Sequence, residues 1–141
     1  MSSSAFVTVV TGVSVFVLGQ LIVKGAIEPY ISFREQLGKI SNLLLCNQAK
    51  IVNPSSNLKP EIIHDLKDSA AQLMAKYSTL PFYIKKLHIG FRLVPSATEI
   101  LGAARNLNYI ASIHEGKTGE NPSKHLEEIG HMLKIPTTYS S

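Results

Sequence analysis

The chain has 141 residues, with 14 Lys and Arg against 10 Asp and Glu, and therefore a net charge of +4. This length suits one ordinary domain and excludes a multidomain enzyme. A single Cys excludes a disulfide framework and a cysteine-rich zinc module, and a mean hydropathy of +0.13 is too high for a disordered chain.

An uncharged apolar stretch of 19 residues, 5–23, lies near the N-terminus. As a helix it would be about 28 Å long, close to the hydrocarbon thickness of a bilayer. A lone segment in lipid must satisfy its own backbone hydrogen bonds, which favours a helix. The alternative, a cleaved signal peptide, expects basic residues ahead of the apolar core, and residues 1–4 have none. We therefore predict a retained transmembrane anchor over residues 1–28 and a helical domain over residues 29–141.

Basic residues flank the apolar stretch on one side only. Lys24, Arg34 and Lys39 follow it, whereas no Lys or Arg precedes it. Because basic flanks stay in the cytoplasm, this asymmetry predicts a single-pass protein of the inner (cytoplasmic) membrane. Its N-terminus would lie outside and its C-terminal domain in the cytoplasm.

Small residues form a stripe on the predicted membrane helix, where Thr8, Gly12 and Gly19 fall on one side. Small side chains let helices in lipid approach closely, and Thr hydroxyls can bond across the contact. The stripe predicts a self-associating anchor, so that the partners are the bilayer and further copies of the chain. The alternative is that the stripe has no role, since such residues are common in membrane helices.

The next part of the chain has the pattern of two amphipathic helices. A long helix is predicted over residues 30–51, ended by the turn-rich residues 53–57, and Pro29 suits either a new helix or a kink in a continuing one. Another helix begins at Pro60 and breaks at Pro81. The apolar positions recur at helical spacing and are Phe33, Leu37, Ile40, Leu44 and Ile51 in the first and Ile63, Leu66, Ala70, Leu73 and Tyr77 in the second.

Three shorter helices follow, over residues 82–91, from a capping box at Ser96 to Gly116, and over residues 123–133. The apolar positions of the capped helix are Ile100, Leu101, Ala104, Leu107 and Ala111. We expect the tail to fray from Pro136. No stretch alternates with a period of two, so the predicted fold is all-α, a single N-terminal transmembrane helix followed by a small cytoplasmic helical bundle.

Basic and aromatic residues are interleaved between residues 76 and 105. Lys85, Lys86 and Arg92 mark this basic surface, and Glu99 is the only acidic residue of the range. Such a surface suits anionic lipid headgroups, and it also suits a nucleic-acid backbone with stacked bases. A third alternative is an ordinary solvated face. Tethering to a bilayer favours lipid or solvent over nucleic acid.

The candidate catalytic residues are Arg105, Asn106 and His114. An Arg and a His brought together can cut RNA, because the His moves a proton while the Arg stabilises the charged phosphate. Nine helical steps of about 100° place Arg105 and His114 on opposite sides of a regular helix. A break near Ser112, or pairing across subunits, would be needed to bring them together. The alternative is a helix with polar residues on its exposed face.

No metal, cofactor or small-molecule substrate is indicated by the sequence. His125 and His131 are six residues apart, so on a helix they point away from each other, and Glu128 with His131 lacks a third ligand. No Ser or Cys has the sequence context of a nucleophile.

The order of motifs is an anchor, Ile27-Glu28-Pro29, a long helix, Leu80-Pro81, and Leu93-Val94-Pro95-Ser96 before a capped helix. This order resembles that of small uncharacterised bacterial single-pass membrane proteins. More distantly, it is similar to the HEPN-like membrane accessory protein of type VI-B CRISPR systems, which joins a membrane helix to a helical cytoplasmic domain and assembles into a ring-shaped pore.

The HEPN resemblance implies a HEPN-like bundle, antiphage defence, and an RNA or a CRISPR effector protein as partner. The HEPN ribonuclease motif is an Arg, a polar residue and, four to six residues further on, a His. It carries over only to Arg105, Asn106 and His114, with a longer spacing of eight residues before the His.

Three functional hypotheses follow, and a role without catalysis is favoured. The leading one is a membrane-anchored homo-oligomeric helical protein that forms a pore or perturbs the membrane, as an accessory or effector in antiphage defence. The second is a membrane-tethered HEPN-like RNA-binding protein or ribonuclease. The third is a passive membrane adaptor that recruits a cytoplasmic partner.

Overall fold

The computed structural model describes residues 2–53, 55–91 and 94–139. Over these ranges the chain is helical and contains no strand, which confirms the all-α prediction. The helices are α1 (Ser2–Ile22), a π turn (Val23–Ile27), α2 (Glu28–Val52), α3 (Pro60–Thr79), α4 (Phe82–Phe91), α5 (Ala97–His114) and α6 (Pro122–Leu133).

Helix α1 contains the apolar stretch and has no buried residue. Its large side chains are open to the surroundings on every side, as Phe6 at 70% and Phe16 at 66% exposure illustrate. By length and composition it is the one helix in the described ranges that can cross a membrane, a test that a signal sequence also passes. No other described part of the chain covers its apolar surface.

The π turn joins α1 to α2 without a break, so that Ser2–Val52 is one helix of 51 residues. Within it, the N–H of Glu28 donates to the carbonyl of Val23, five residues back. Pro29 has no N–H to donate to the carbonyl of Gly25, so the i→i+4 bonding cannot continue there, and the chain stays helical through the wider turn. Of the two sequence alternatives at Pro29, the structure shows the continuing helix.

Helices α2, α3, α5 and α6 form a four-helix bundle, in which α3 and α6 each pack against both α2 and α5. The predicted apolar faces of α2 and α3 are confirmed, since all five α2 positions are buried and those of α3 are buried or packed against the core. The largest fully buried side chains come from all four helices and are Phe33, Leu37, Ile40, Leu44, Ile51, Leu66, Leu73, Ile100, Leu107, Ile110, Leu126 and Ile129.

Helix α5 is buried over a wider face than the sequence pattern predicts. Leu101, expected in the core, is 39% exposed, whereas Ala103 and Ile110 are fully buried. The reason is that α5 lies between α3 and α6 and contacts both, so no single narrow stripe defines its buried side. The capping box at its start is confirmed, because Ser96 N–H donates to Glu99 Oε2 (2.7 Å) and Glu99 N–H donates to Ser96 Oγ (3.2 Å).

The end of α5 is tied to α3 by charge. Glu115 accepts hydrogen bonds from Lys117 and Lys67, and these bonds lower the pKa of its carboxyl group. A carboxyl group with a lowered pKa contributes stability above its ordinary titration range and loses that contribution as the pH falls. Glu115 and its two Lys partners lie at the surface, so their contribution to the free energy of unfolding is small.

The C-terminal tail is packed rather than frayed, contrary to the sequence expectation. Thr137 is 4% exposed, and its hydroxyl donates to the carbonyl of Leu126 (2.8 Å). Ser41 on α2 donates to the carbonyl of Pro136 (2.5 Å). Gly130 allows this close approach, since a Cβ there would lie 2.7 Å from the Thr137 hydroxyl. The tail therefore links α2 to α6.

We predict that Gly130→Ala destabilises the bundle by about 1–3 kcal/mol, because the added methyl group displaces Thr137 from its buried hydrogen bond. Gly102→Ala is the matched control, since there the new Cβ meets only the flexible end of Met132. Urea denaturation of the full chain in mild detergent, followed by circular dichroism, measures both. Equal stability of the two variants would contradict the packed tail.

Candidate functional site

The predicted oligomer residues Thr8, Gly12 and Gly19 lie on α1, where no described part of the chain covers them. A Cβ added at Gly12 or Gly19 would meet no atom within 4 Å. The Thr8 hydroxyl donates to the carbonyl of Ser4 (2.8 Å), so its hydrogen is already used within the helix. The stripe is open to lipid or to another helix along its whole length.

The structure does not bring Arg105 and His114 together within one chain. Helix α5 is unbroken from Ala97 to His114, so the break near Ser112 that would reunite them is not present. Arg105 is exposed, whereas Nε2 of His114 lies 2.9 Å from the carbonyl oxygen of Ile51 at the end of α2. Pairing across subunits is the one arrangement left in which these residues would meet.

Asn106 is 6% exposed and lies at the contact between α5 and α6. Its side-chain Nδ2 donates to Glu128 Oε2 (3.0 Å), and its Oδ1 lies 2.7 Å from Nδ1 of His125. Nε2 of His125 is 2.9 Å from Glu120 Oε2. These four residues form what we call the buried polar network, in which Asn106 and His125 are buried while the side chains of Glu120 and Glu128 are 63% and 39% exposed.

The hydrogen-bond roles in the buried polar network follow from its geometry. Since the Asn106 amide donates to Glu128, its carbonyl oxygen faces His125 and accepts from Nδ1. The carboxylate of Glu120 lies beside Nε2, so each ring nitrogen of His125 has a partner in the protein. Tyr109 stacks on the ring, with 5.4 Å between the ring centroids. These contacts hold the His125 ring in place.

Sequence reasoning missed the buried polar network. It considered Glu128 with His131, whereas in the structure Glu128 binds Asn106 and His131 is exposed. The available signal was the position of Asn106 on the apolar face of α5, between Ala103 and Ile110, where a buried amide needs a partner. Its partners Glu128 and His125 both lie on α6, which local spacing does not reveal.

The basic surface is described in part, since Arg92 lies outside the described residues. The ammonium group of Lys85 lies over the Tyr77 ring (4.8 Å to its centroid), and that of Lys86 lies over the Phe82 ring (5.0 Å). Burial, followed by the charge of Glu99, raises the pKa of Tyr77. These contacts hold the two cations among aromatic side chains at the start of α4.

No group of three or more metal-binding side chains comes together within the described ranges. Comparisons with family models, with curated proteins and with solved structures find no match to this chain. The similarity to the HEPN-like accessory protein therefore stays a prediction, as do the arrangement of the bundle and the antiphage role that it implies.

We predict that the buried polar network is structural. Asn106→Ala removes a hydrogen-bond partner from both His125 and Glu128, and should lower the free energy of unfolding by about 1–3 kcal/mol. Asn108→Ala, at an exposed position of the same helix, should change it by less than about 0.5 kcal/mol. Urea denaturation of the full chain in detergent compares the free energies of unfolding of the two variants. Equal effects would show that the network contributes nothing to stability.

Proposed function

We propose that this protein is a single-pass membrane protein that assembles with copies of itself along one face of its long N-terminal helix. Two parts of this proposal have separate support. The first is the insertion of α1 into a bilayer, and the second is a continuous exposed face that runs from α1 into α2.

Membrane insertion is supported by the exposed surface of α1. Its 21 residues form a helix of about 31 Å, which matches the hydrocarbon thickness of a bilayer. The described part of the chain offers this helix no packing partner, so in water its apolar surface would remain exposed at a large cost in free energy.

Retention of α1 is supported by its continuity with the bundle. The same helix continues through the π turn into α2, whose side chains Phe33 and Leu37 are in the core. Cleavage after the apolar stretch would have to open this helix at the point where it joins the bundle.

The continuous face, which we call the seam, consists of Thr8, Gly12, Gly19, Ile27, Ile31, Gly38, Leu45 and Val52. Within α1, and again from Ile27 onward, successive seam positions are four or seven residues apart, the spacing of one helix face. Gly19 and Ile27 are eight residues apart, with three residues from Gly19 to Ile22 and five from Ile22 to Ile27, across the π turn.

The π turn brings the two halves of the seam into line, and this observation carries the proposal. A turn with i→i+5 bonding contains one residue more than an α-helical turn, so the residues after it are set back by about 100°. In an uninterrupted α-helix, the exposed apolar face of α2 would point about 100° away from the small-residue stripe of α1. With the π turn, Ile27 and Ile31 continue the line of Gly12 and Gly19.

The second half of the seam, from Ile27 to Val52, is exposed except at the half-buried Leu45, although it lies beyond the apolar stretch 5–23. Ile27 is 45% exposed, Ile31 49% and Val52 38%, and a Cβ at Gly38 would meet nothing within 4 Å. Parallel association of α1 in one membrane would place α2 of each copy beside α2 of the next, which would bury these side chains. Arg34 and Asn42 also lie on this face, and polar residues in such a contact fix its register.

We predict that the full chain in mild detergent is a homo-oligomer and that Gly12→Leu with Gly38→Leu lowers its mass. Leucine fits the monomer at both positions but separates helices that meet at the seam. The measurement is light scattering with the detergent contribution subtracted. Ser14→Leu with Cys46→Leu is the matched control, because both residues are exposed on the same long helix but off the seam.

A monomeric wild-type chain would contradict the proposal and favour the passive adaptor. An oligomer that both double variants leave intact would contradict the seam.

Pore formation in antiphage defence is the finer form of the proposal and is supported by the resemblance alone. In that form, the seam variant should also abolish dye leakage from vesicles. The ribonuclease hypothesis now needs Arg105 and His114 to meet across subunits.

A further inference from the structure

Helix α4 lies beside the end of the helix that we propose to cross the membrane. The Tyr83 hydroxyl donates to the carbonyl of Gly25 in the π turn, at 3.4 Å. That carbonyl lacks its usual α-helical donor, because the residue four positions on is Pro29. This contact holds the start of α4 at the level of the π turn.

The level of the π turn is the bilayer surface if α1 spans the hydrocarbon. The apolar helix ends at Ile22, and Lys24 is the first charged residue of the chain. Gly25 then lies in the headgroup layer, and so does Tyr83. Tyrosine is enriched at this depth, where its ring meets the acyl chains and its hydroxyl meets polar groups.

The start of α4 exposes apolar and cationic side chains together. Phe82 is 67% exposed and Tyr83 49%, whereas Ile84 packs against the core. Lys86 is exposed, with its ammonium group over the Phe82 ring. An exposed Phe beside two Lys residues suits an anionic membrane surface, because the ring can enter the interface while the ammonium groups contact lipid phosphates.

The charge at this level is positive. Lys24, Lys85 and Lys86 are opposed by Glu28, the one acidic residue near the π turn in the sequence, and no acidic residue occurs from 76 to 98. At the start of α4, the side chains of Phe82, Tyr83 and Lys86 are exposed, so the bundle leaves them open to the membrane surface.

We propose that residues 82–86 bind the surface of the bilayer that α1 crosses, with anionic phospholipid headgroups as the ligand. This second membrane contact would fix the bundle at a set angle against the membrane. It rests on the proposed insertion of α1 and adds a lipid partner that self-association alone does not require.

The test uses Phe82→Trp in the full chain, which has no other Trp. The variant is reconstituted into phosphatidylcholine vesicles with or without phosphatidylglycerol, and with lipids brominated on the acyl chain. We expect blue-shifted emission that brominated lipid quenches and aqueous iodide does not. Replacing Lys85 and Lys86 by Ser should weaken the quenching by brominated lipid in anionic vesicles.

The matched control is Tyr139→Trp. Tyr139 is 74% exposed, and its N–H donates to Gln48, which lies 24 residues beyond Lys24, roughly 35 Å along the helix. Iodide should quench this tryptophan, and brominated lipid should not.

The same emission and iodide quenching in the Phe82→Trp and Tyr139→Trp variants would overturn the proposal. Shielding of the Phe82→Trp fluorophore that depends on the protein-to-lipid ratio and not on brominated lipid would show a contact between copies, and would overturn it as well. So would a response to an RNA oligonucleotide in place of anionic lipid, which would show a nucleic-acid surface.

Alkaline extraction separates failure of the α4 contact from failure of the anchor. A Phe82→Trp chain that resists extraction while its tryptophan stays open to iodide refutes only the α4 contact. An extracted chain refutes membrane insertion.

Discussion

The continuity of one helix across the π turn is the constraint on which the rest of the structure depends. The apolar α1 and the core helix α2 share a single backbone, so the bundle cannot turn independently of the proposed anchor. Pro29 would normally end or kink a helix, and the i→i+5 bonding of residues 23–27 carries the chain past it. The same turn sets the rotation of α2 relative to α1, and thus how the exposed face of α2 lines up with the small-residue stripe of α1.

The polar residues of the bundle are used to hold it together. Asn106 and His125 join α5 to α6, His114 reaches the end of α2, and Ser41 and Thr137 hold the tail. Most of these side-chain polar atoms are bonded inside the protein, whereas Nδ1 of His114 is buried without a hydrogen-bond partner in the described ranges. In the described ranges, three surfaces with apolar side chains remain uncovered, namely α1, the seam and the start of α4. Their chemistry fits the membrane insertion and self-association that we propose.

Much of the fold could be predicted from local signals. Pro60 marks the start of α3, Ser96 with Glu99 marks the start of α5, and the spacing of Phe33 to Ile51 gives the buried face of α2. The rest depends on contacts between distant segments. The π turn is not predicted, Leu101 is exposed although it belongs to the predicted apolar face, and Asn106 finds its partners outside its own helix. For the candidate site, the sequence singled out Asn106 as a catalytic candidate, and the structure adds its contacts with Glu128 and His125, which local spacing does not reveal.

Labelling of Cys46 with a membrane-impermeant maleimide tests the central claim most directly. Cys46 is the only Cys and is exposed on α2, beyond the proposed membrane span. If α1 is a retained anchor and the bundle is cytoplasmic, the full-length chain should sediment with alkali-washed membranes. Cys46 should then react only after spheroplasts are permeabilised, and Cys46→Ser should not react at all. A shortened chain in the soluble fraction, or equal labelling of intact spheroplasts, would contradict the claim.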